Sequence, residues 1–259
     1  MSEAAAILAL AQRDFTKLLR DRARLVTTLI FPFIFIAALG GSLQASFGGI
    51  AGYNFLVFTF TGVYAQTLFQ TTALGLVSLI EDRENDFSQE IFVSPISRYS
   101  ILFGKILGET LVAIPQGLAV ALFGLLIGVP LNPLQITALA LGGIIVSLYG
   151  GAFGIIVLSN LHSQRAANQI FPFIFLPQFF LAGVFNPIKV LPWYLDLLSR
   201  ISPMRYAVDF VRGLYYTGSP DYDAVVLLSP LENLAILGGL FVVFMAIGTV
   251  LFVRAERNR

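Results

Sequence analysis

Residues 25–80, fifty-six in a row, carry no charged side chain. A second charge-free run of 52 residues covers 110–161, and shorter ones cover 166–188 and 233–253. A water-facing surface needs charge at close intervals. A bilayer core needs the reverse: each helix crossing takes about 20 apolar residues, and a charge at its centre costs about 2.5–3.5 kcal/mol. The pattern therefore predicts an all-α integral membrane fold. Composition agrees, with 57% hydrophobic and 12% charged residues against about 25% charged in soluble domains. The net charge of +1 offers no basic field for nucleic acid. With no cysteine, disulfide and thiol chemistry are excluded. The first apolar run begins only after Arg24 and lacks a small-residue cleavage site, so no cleavable signal is expected.

The longest run is too long for one crossing and fits two joined by a tight turn. Gly40, Gly41, Gly48, Gly49 and Gly52 mark the expected break. Spans are placed at about 25–45 and 53–80. The next run breaks at Gly128-Val-Pro-Leu-Asn-Pro133, giving spans at about 106–127 and 136–159. A fifth span is expected at about 168–185 and a sixth at about 233–253. Ahead of them, residues 4–22 read as an amphipathic interfacial helix. Ile7, Leu8, Ala11, Phe15, Leu18 and Leu19 share one face, and Arg13, Asp14, Lys17, Arg20 and Asp21 the other. If the N-terminus is cytoplasmic, twelve of the 16 Lys and Arg residues lie inside, and Lys189, Arg200, Arg205 and Arg212 lie outside. That bias satisfies the positive-inside rule and puts both termini in the cytoplasm.

Two connectors are long enough to fold, 81–104 inside and 186–232 outside. In the first, 84–93 can form a short helix with Phe87 and Ile91 on one face, stopped by Ser94-Pro95. Apolar knobs among mostly acidic charges suit docking to a cytoplasmic partner; the plain alternative is a solvated connector. In the second, Met204, Val208, Val211 and Tyr215 form one stripe of a helix. Arg205, Asp209 and Arg212 form the opposite stripe, at spacings that allow them to pair with one another. Trp193, Tyr194, Tyr206, Tyr215 and Tyr216 suit the headgroup region, so a half-immersed, re-entrant cap is expected between spans five and six.

These connectors carry a family resemblance. Asp82-Arg-Glu84 with Phe87, Glu90, Val93, Pro95, Ser97 and Arg98 resembles the loop after span two of ABC-2 type exporter permeases. Phe180-Leu-Ala-Gly-Val-Phe-Asn-Pro187, Leu191-Pro-Trp193, Ile201-Ser-Pro203, Tyr206-Ala207, Asp209 and Arg212 resemble the same family's signature after span five. Asp86 stands where the family usually has Gly. The resemblance covers nearly the whole chain, as a single transmembrane domain over 1–259. It implies the permease subunit of an ATP-driven exporter in a bacterial-type plasma (inner) membrane, paired as a homodimer and bound to two ABC ATPase subunits. Arg83, Glu84, Phe87, Glu90 and Ile91 would then couple to the ATPase as a coupling helix. Phe185, Pro187, Pro192, Trp193, Pro203, Arg205, Asp209 and Arg212 would form the outer cap or gate.

The chain itself has no G-x-x-x-x-G-K phosphate loop. Gly104-Lys105 is the nearest fragment, and Tyr99 stands where the first Gly should be. ATP and Mg are therefore expected on the partner ATPase, with no cofactor, metal or catalytic residue on this chain. The lone His162 has no ligating companions. Glu109, an acid inside span three, is expected to pair with Lys105. Gly104/Gly108, Gly124/Gly128 and Gly150/Gly154 read first as helix-packing sites. Pro32, Pro172 and Pro177 would kink spans one and five, which in the family flank the dimer seam. The substrate path is expected there, with Phe31, Phe35 and Phe175 as apolar walls and Gln66, Gln70, Thr71 and Gln178 as polar contacts. Such a path suits a hydrophobic or amphipathic substrate: drug-like, lipid or glycoconjugate. Two other classes compete. An ATP-independent secondary carrier or channel would want acids within the spans, which the charge-free runs lack; a non-transporting anchor would hold a cytoplasmic complex through 81–104.

Overall fold

The computed structural model describes residues 3–20, 22–49, 52–84, 97–161 and 163–257, and no strand occurs among them. Helix α1 (Glu3–Arg20) leads into α2 (Arg22–Ile34), a π-helical stretch Phe35–Gly40 and α3 (Gly41–Phe47). Then come α4 (Phe55–Gly75), α5 (Ser78–Glu84), α6 (Arg98–Leu126), α7 (Pro133–Leu158) and α8 (Gln164–Leu181). A 3₁₀ turn at Ile188–Val190, α9 (Trp193–Ile201), α10 (Pro203–Tyr215) and α11 (Tyr222–Val225) precede the long α12 (Pro230–Arg257). Among the described residues, five stretches are long and apolar enough to cross a membrane: Val26–Phe47, Phe55–Asp82, Arg98–Leu126, Pro133–Leu158 and Tyr222–Arg254.

The expected fifth span corresponds to α8, which falls outside that set. Its 18 residues begin with Gln164, Arg165, Asn168 and Gln169, so the apolar part is short. It runs about 27 Å at 1.5 Å per residue, close to the roughly 30 Å hydrocarbon thickness. The expected boundaries also shift. The helix of span three starts at Arg98, capped by the Ser97 side chain on the Ser100 amide, rather than near 106. The expected loop 81–104 is therefore helical at both described ends, while 85–96 lies outside the described residues. Gly40 and Gly41 do not break span one. The chain stays helical through them and turns after Phe47, where Gly52 takes the left-handed conformation (φ 73°). The π-helical widening follows Pro32 by three residues, the sort of irregularity that accompanies a proline in the ladder.

Helix α4 sits at the centre. Phe58, Phe60, Val63, Ala65, Phe69 and Ala73 are wholly buried, on all sides of the helix. A helix apolar all round has no solvent face to offer and is packed on every side. Its neighbours are α6, α7, α10 and the π-helical stretch. The approach of α7 is close because Gly150 and Gly154 present bare backbone to it. A Cβ on Gly154 would lie 2.7 Å from the Ala73 carbonyl oxygen, and one on Gly150 would meet the Phe69 carbonyl. The start of α7 is fixed by a capping box between Asn132 and Gln135, with Pro133 in the first turn.

This packing makes a direct prediction. Gly150→Ala forces a methyl against fixed backbone and should destabilise the bundle by about 1–3 kcal/mol. Gly239→Ala in α12, where a Cβ meets nothing within 4 Å, should be neutral or slightly stabilising. Thermal unfolding of the two variants in detergent checks the contrast.

Candidate functional site

At the end of the bundle carrying α1, four charges converge in a buried cluster. Asp14 comes from α1, Asp82 from α5 and Lys105 from α6, and Arg13 closes the ring. The Lys105 ammonium lies 2.9 Å from Asp14 Oδ2 and 3.3 Å from Asp82 Oδ2. Arg13 Nη2 donates to both Asp82 oxygens at 2.6 Å. Lys17 reaches Glu81 at 3.0 Å on the exposed rim. The side chains of Lys105 and Asp14 are 3% and 5% exposed. Lys105 therefore does not take the expected Glu109 as partner. Glu109 instead packs onto Gly75, with the Ser78 hydroxyl 3.5 Å away. Among the described residues, helix α1 buries one residue from each of its two expected faces. Ala11 and Asp14 are buried against α6, at Gly108, while Leu8 stands exposed. The polar face of α1 is thus partly an interior surface that ties it to α5 and α6.

Of the proposed coupling residues, Arg83 and Glu84 belong to the last turn of α5, and their side chains lie outside the described residues. Phe87, Glu90, Ile91 and all but the first residue of the short helix expected over 84–93 lie outside the described residues, as does His162.

The segment between α8 and α12 is built into the bundle more deeply than a half-immersed cap. Both stripes of α10 are buried, and the expected pairing among Arg205, Asp209 and Arg212 does not form. Each turns to a partner outside α10. Arg212, 2% exposed, donates to the carbonyl oxygens of Gly183 (3.0 Å) and Phe58 (3.3 Å). Its guanidinium also lies 3.7 Å above the Phe58 ring centre. Asp209 accepts from the backbone amides of Leu227 and Leu228 and from the Asn233 side chain, all within 2.9 Å. Arg205 reaches Asp196 at 3.0 Å and also bonds the Ser199 hydroxyl. Burial raises the Asp196 pKa, and hydrogen bonds from Arg200 and Arg205 outweigh it, holding the carboxyl below its ordinary value. Phe185 stacks on Phe35 at 5.1 Å, Pro192 precedes α9 and Pro203 opens α10. Pro187 leads into the 3₁₀ turn. Among the aromatics, Trp193 (80% exposed) and Tyr194 face outward, whereas Tyr215 and Tyr216 are buried.

Helices α2, α4 and α8 surround a cavity of about 640 Å³. Thr27, Thr28, Phe31 and Pro32 line it from α2, and Thr67, Gln70 and Thr71 from α4. Asn168, Phe171, Phe175 and Phe179 line it from α8, and Gln116 reaches in from α6. Phe31 and Phe179 meet with ring centres 5.9 Å apart. The expected path is thus brought together in part: Phe31, Gln70, Thr71 and Phe175 line the cavity, and three other residues do not. Phe35 packs on Phe31 and Phe185. Gln66 is fully buried in the core. Gln178 holds the α8 end to α10, its Oε1 accepting from the Met204 amide at 3.2 Å. Among the described residues no cluster of three metal-ligating side chains occurs.

The sequence model of the ABC-2 type transporter family matches residues 5–216. The chain belongs to that family. A protein named transport permease ycf38 from Cyanophora paradoxa is 25% identical over 213 residues, covering 81% of this chain and 73% of the relative. Its namesake from Porphyra purpurea is 26% identical with the same coverage. The Escherichia coli protein named multidrug ABC transporter permease YbhR is 28% identical over 144 residues, 54% of this chain and 38% of the relative. With its apolar helices, this ABC-2 type transporter is an integral membrane protein.

Two features of this transporter escaped the sequence. Gln116 was visible as the one amide side chain within the expected third span, 106–127, but nothing local said that it turns toward α4. The Asp14–Lys105–Asp82 cluster joins residues up to 91 positions apart, beyond any helical period. Removing Lys105 would leave the Asp14 and Asp82 carboxylates to share Arg13 alone, and breaking a buried pair costs about 3–5 kcal/mol. Lys105→Met should therefore lower the thermal midpoint of the purified transporter sharply. Adding Asp14→Asn to it should recover part of the loss, and a double variant no better than the single would dissociate the two residues.

Proposed function

We propose that this chain is the permease subunit of an ATP-driven exporter for hydrophobic or amphipathic substrates. The observation that carries the reading is the ionic cluster of Arg13, Asp14, Asp82 and Lys105. It joins α1, the extension of span two and the start of span three at the two ends of the segment 85–96. A force applied to that segment by an attached motor would pass through the cluster into both spans.

On this reading the chain is one transmembrane domain with six spans, α8 serving as the fifth. The charge bias places both termini in the cytoplasm of a bacterial-type plasma membrane. Helix α1 lies at that inner surface, and α9 and α10 form the outer cap. Two copies pair and bind two ABC ATPase subunits, which supply the ATP and Mg chemistry. Arg83, Glu84, Phe87, Glu90 and Ile91 are the proposed contact with the motor, and the cavity between α2, α4 and α8 is the proposed substrate site. The names of the relatives, transport permease and multidrug ABC transporter permease, support transport as the activity.

Reconstitution with the cognate ATPase tests this. The two proteins should purify together, and vesicles holding both should accumulate or release substrate only with ATP. Glu84→Lys with Glu90→Lys should reduce ATP-driven transport at least tenfold while leaving the permease folded. Flux that is undiminished without ATP would overturn the reading in favour of a secondary carrier.

A further inference from the structure

We propose that the cavity between α2, α4 and α8 selects uncharged amphiphiles, with Gln116 Nε2 as the donor that reads an acceptor oxygen in the ligand's head. The inference rests on the transport reading for treating the cavity as a substrate site, and it narrows the substrate class.

Gln116 is 1% exposed and lines the cavity. Its Oε1 accepts from the Thr71 hydroxyl at 2.6 Å, which fixes the amide, whereas Nε2 has no partner. A buried donor without an acceptor destabilises the empty site. A ligand oxygen placed against it would remove that cost, so this one edge favours an ether, carbonyl or hydroxyl over a plain hydrocarbon. The surrounding chemistry sets the rest. Thr67, Gln70 and Asn168 add neutral hydrogen-bonding groups, and Phe171, Phe175 and Phe179 supply an aromatic wall for an apolar body. Among the described residues no lining side chain is charged. An anion would be stripped of water with no cation to meet it. A cation would find no carboxylate, only the aromatic faces, and at Gln116 it would face the positive end of the unpaired N–H dipole. The volume of about 640 Å³ suits one small amphiphile, within the roughly 300–1,000 Å³ of ordinary ligand sites.

The test is direct binding to the full chain in lipid nanodiscs, without ATP, using radiolabelled probes of one chain length. Glycerol monolaurate is the neutral probe, dodecyltrimethylammonium the cation and dodecyl phosphate the anion. The neutral probe should bind at least tenfold tighter than either charged one. Gln116→Met, which keeps the volume but loses both the donor and the acceptor of the Thr71 hydroxyl, should weaken it five- to tenfold and leave the charged probes unchanged, whereas Thr71→Val, which removes that hydrogen bond and keeps the donor, should leave the neutral probe bound normally. Asn168→Asp sits on an exposed position and adds an acid to the wall, so it should raise ammonium binding at least tenfold. Equal binding of charged and neutral probes, or a Gln116→Met variant that binds the neutral probe normally, would overturn the inference. Either result is compatible with ATP-driven transport, and loss of ATP dependence leaves this binding series intact, so the two failures are distinguishable.

Discussion

Hydrocarbon offers no hydrogen-bond partner, so a polar group carried into it is stabilised when another part of the protein answers it. That preference organises this bundle. Thr67, Thr72 and Thr110 turn their hydroxyls back onto carbonyls one helical turn earlier, at a small cost to the helix. Larger groups reach between helices and become ties. The Tyr64 hydroxyl donates to the Leu139 carbonyl, fastening α4 to α7. Asp209 gathers the chain entering α12, and Arg212 gathers the turn leaving α8 onto α4. The polar residues of the cap are therefore fasteners of the interior, and their charges serve the fold before they serve any surface.

This is also why the cap was the least legible part of the chain. The period of Met204, Val208, Val211 and Tyr215 correctly marks one buried face of α10. The same arithmetic puts Arg205, Asp209 and Arg212 on the other face and suggests water or headgroups there. Their partners at Asp196, Leu227 and Gly183 come from other segments, and no local spacing announces them. The long spans were legible because charge is absent over whole membrane thicknesses. Their ends were less so, since a charge-free run measures the apolar slab and the helix continues past it. Glu81, Asp82, Arg98 and Lys105 lie on such extensions, helical and charged at once. The start of α7 was placed only approximately, at about 136, although Asn132-Pro133 and Gln135 act within four residues.

The same division holds for the candidate site. Prolines and phenylalanines in spans one and five pointed to the cavity, and Phe31, Gln70 and Phe175 line it. Gln66 and Gln178 were chosen by residue type alone, and type does not say which way a helix is turned. Backbone contact between α4 and α7 at Gly150 and Gly154 fixes that rotation, and with it places Thr67, Gln70 and Thr71 at the cavity and Gln66 in the core.

The chain has a single tryptophan, and it stands exposed at the start of α9. All of the protein's indole fluorescence therefore comes from one known position beside α10, with none from the spans. Its emission wavelength reports the polarity around the cap, and quenching by bromines placed at different depths along a lipid chain reads its immersion in ångströms. The molecule carries its own depth gauge at the point where the sequence and the fold disagreed most.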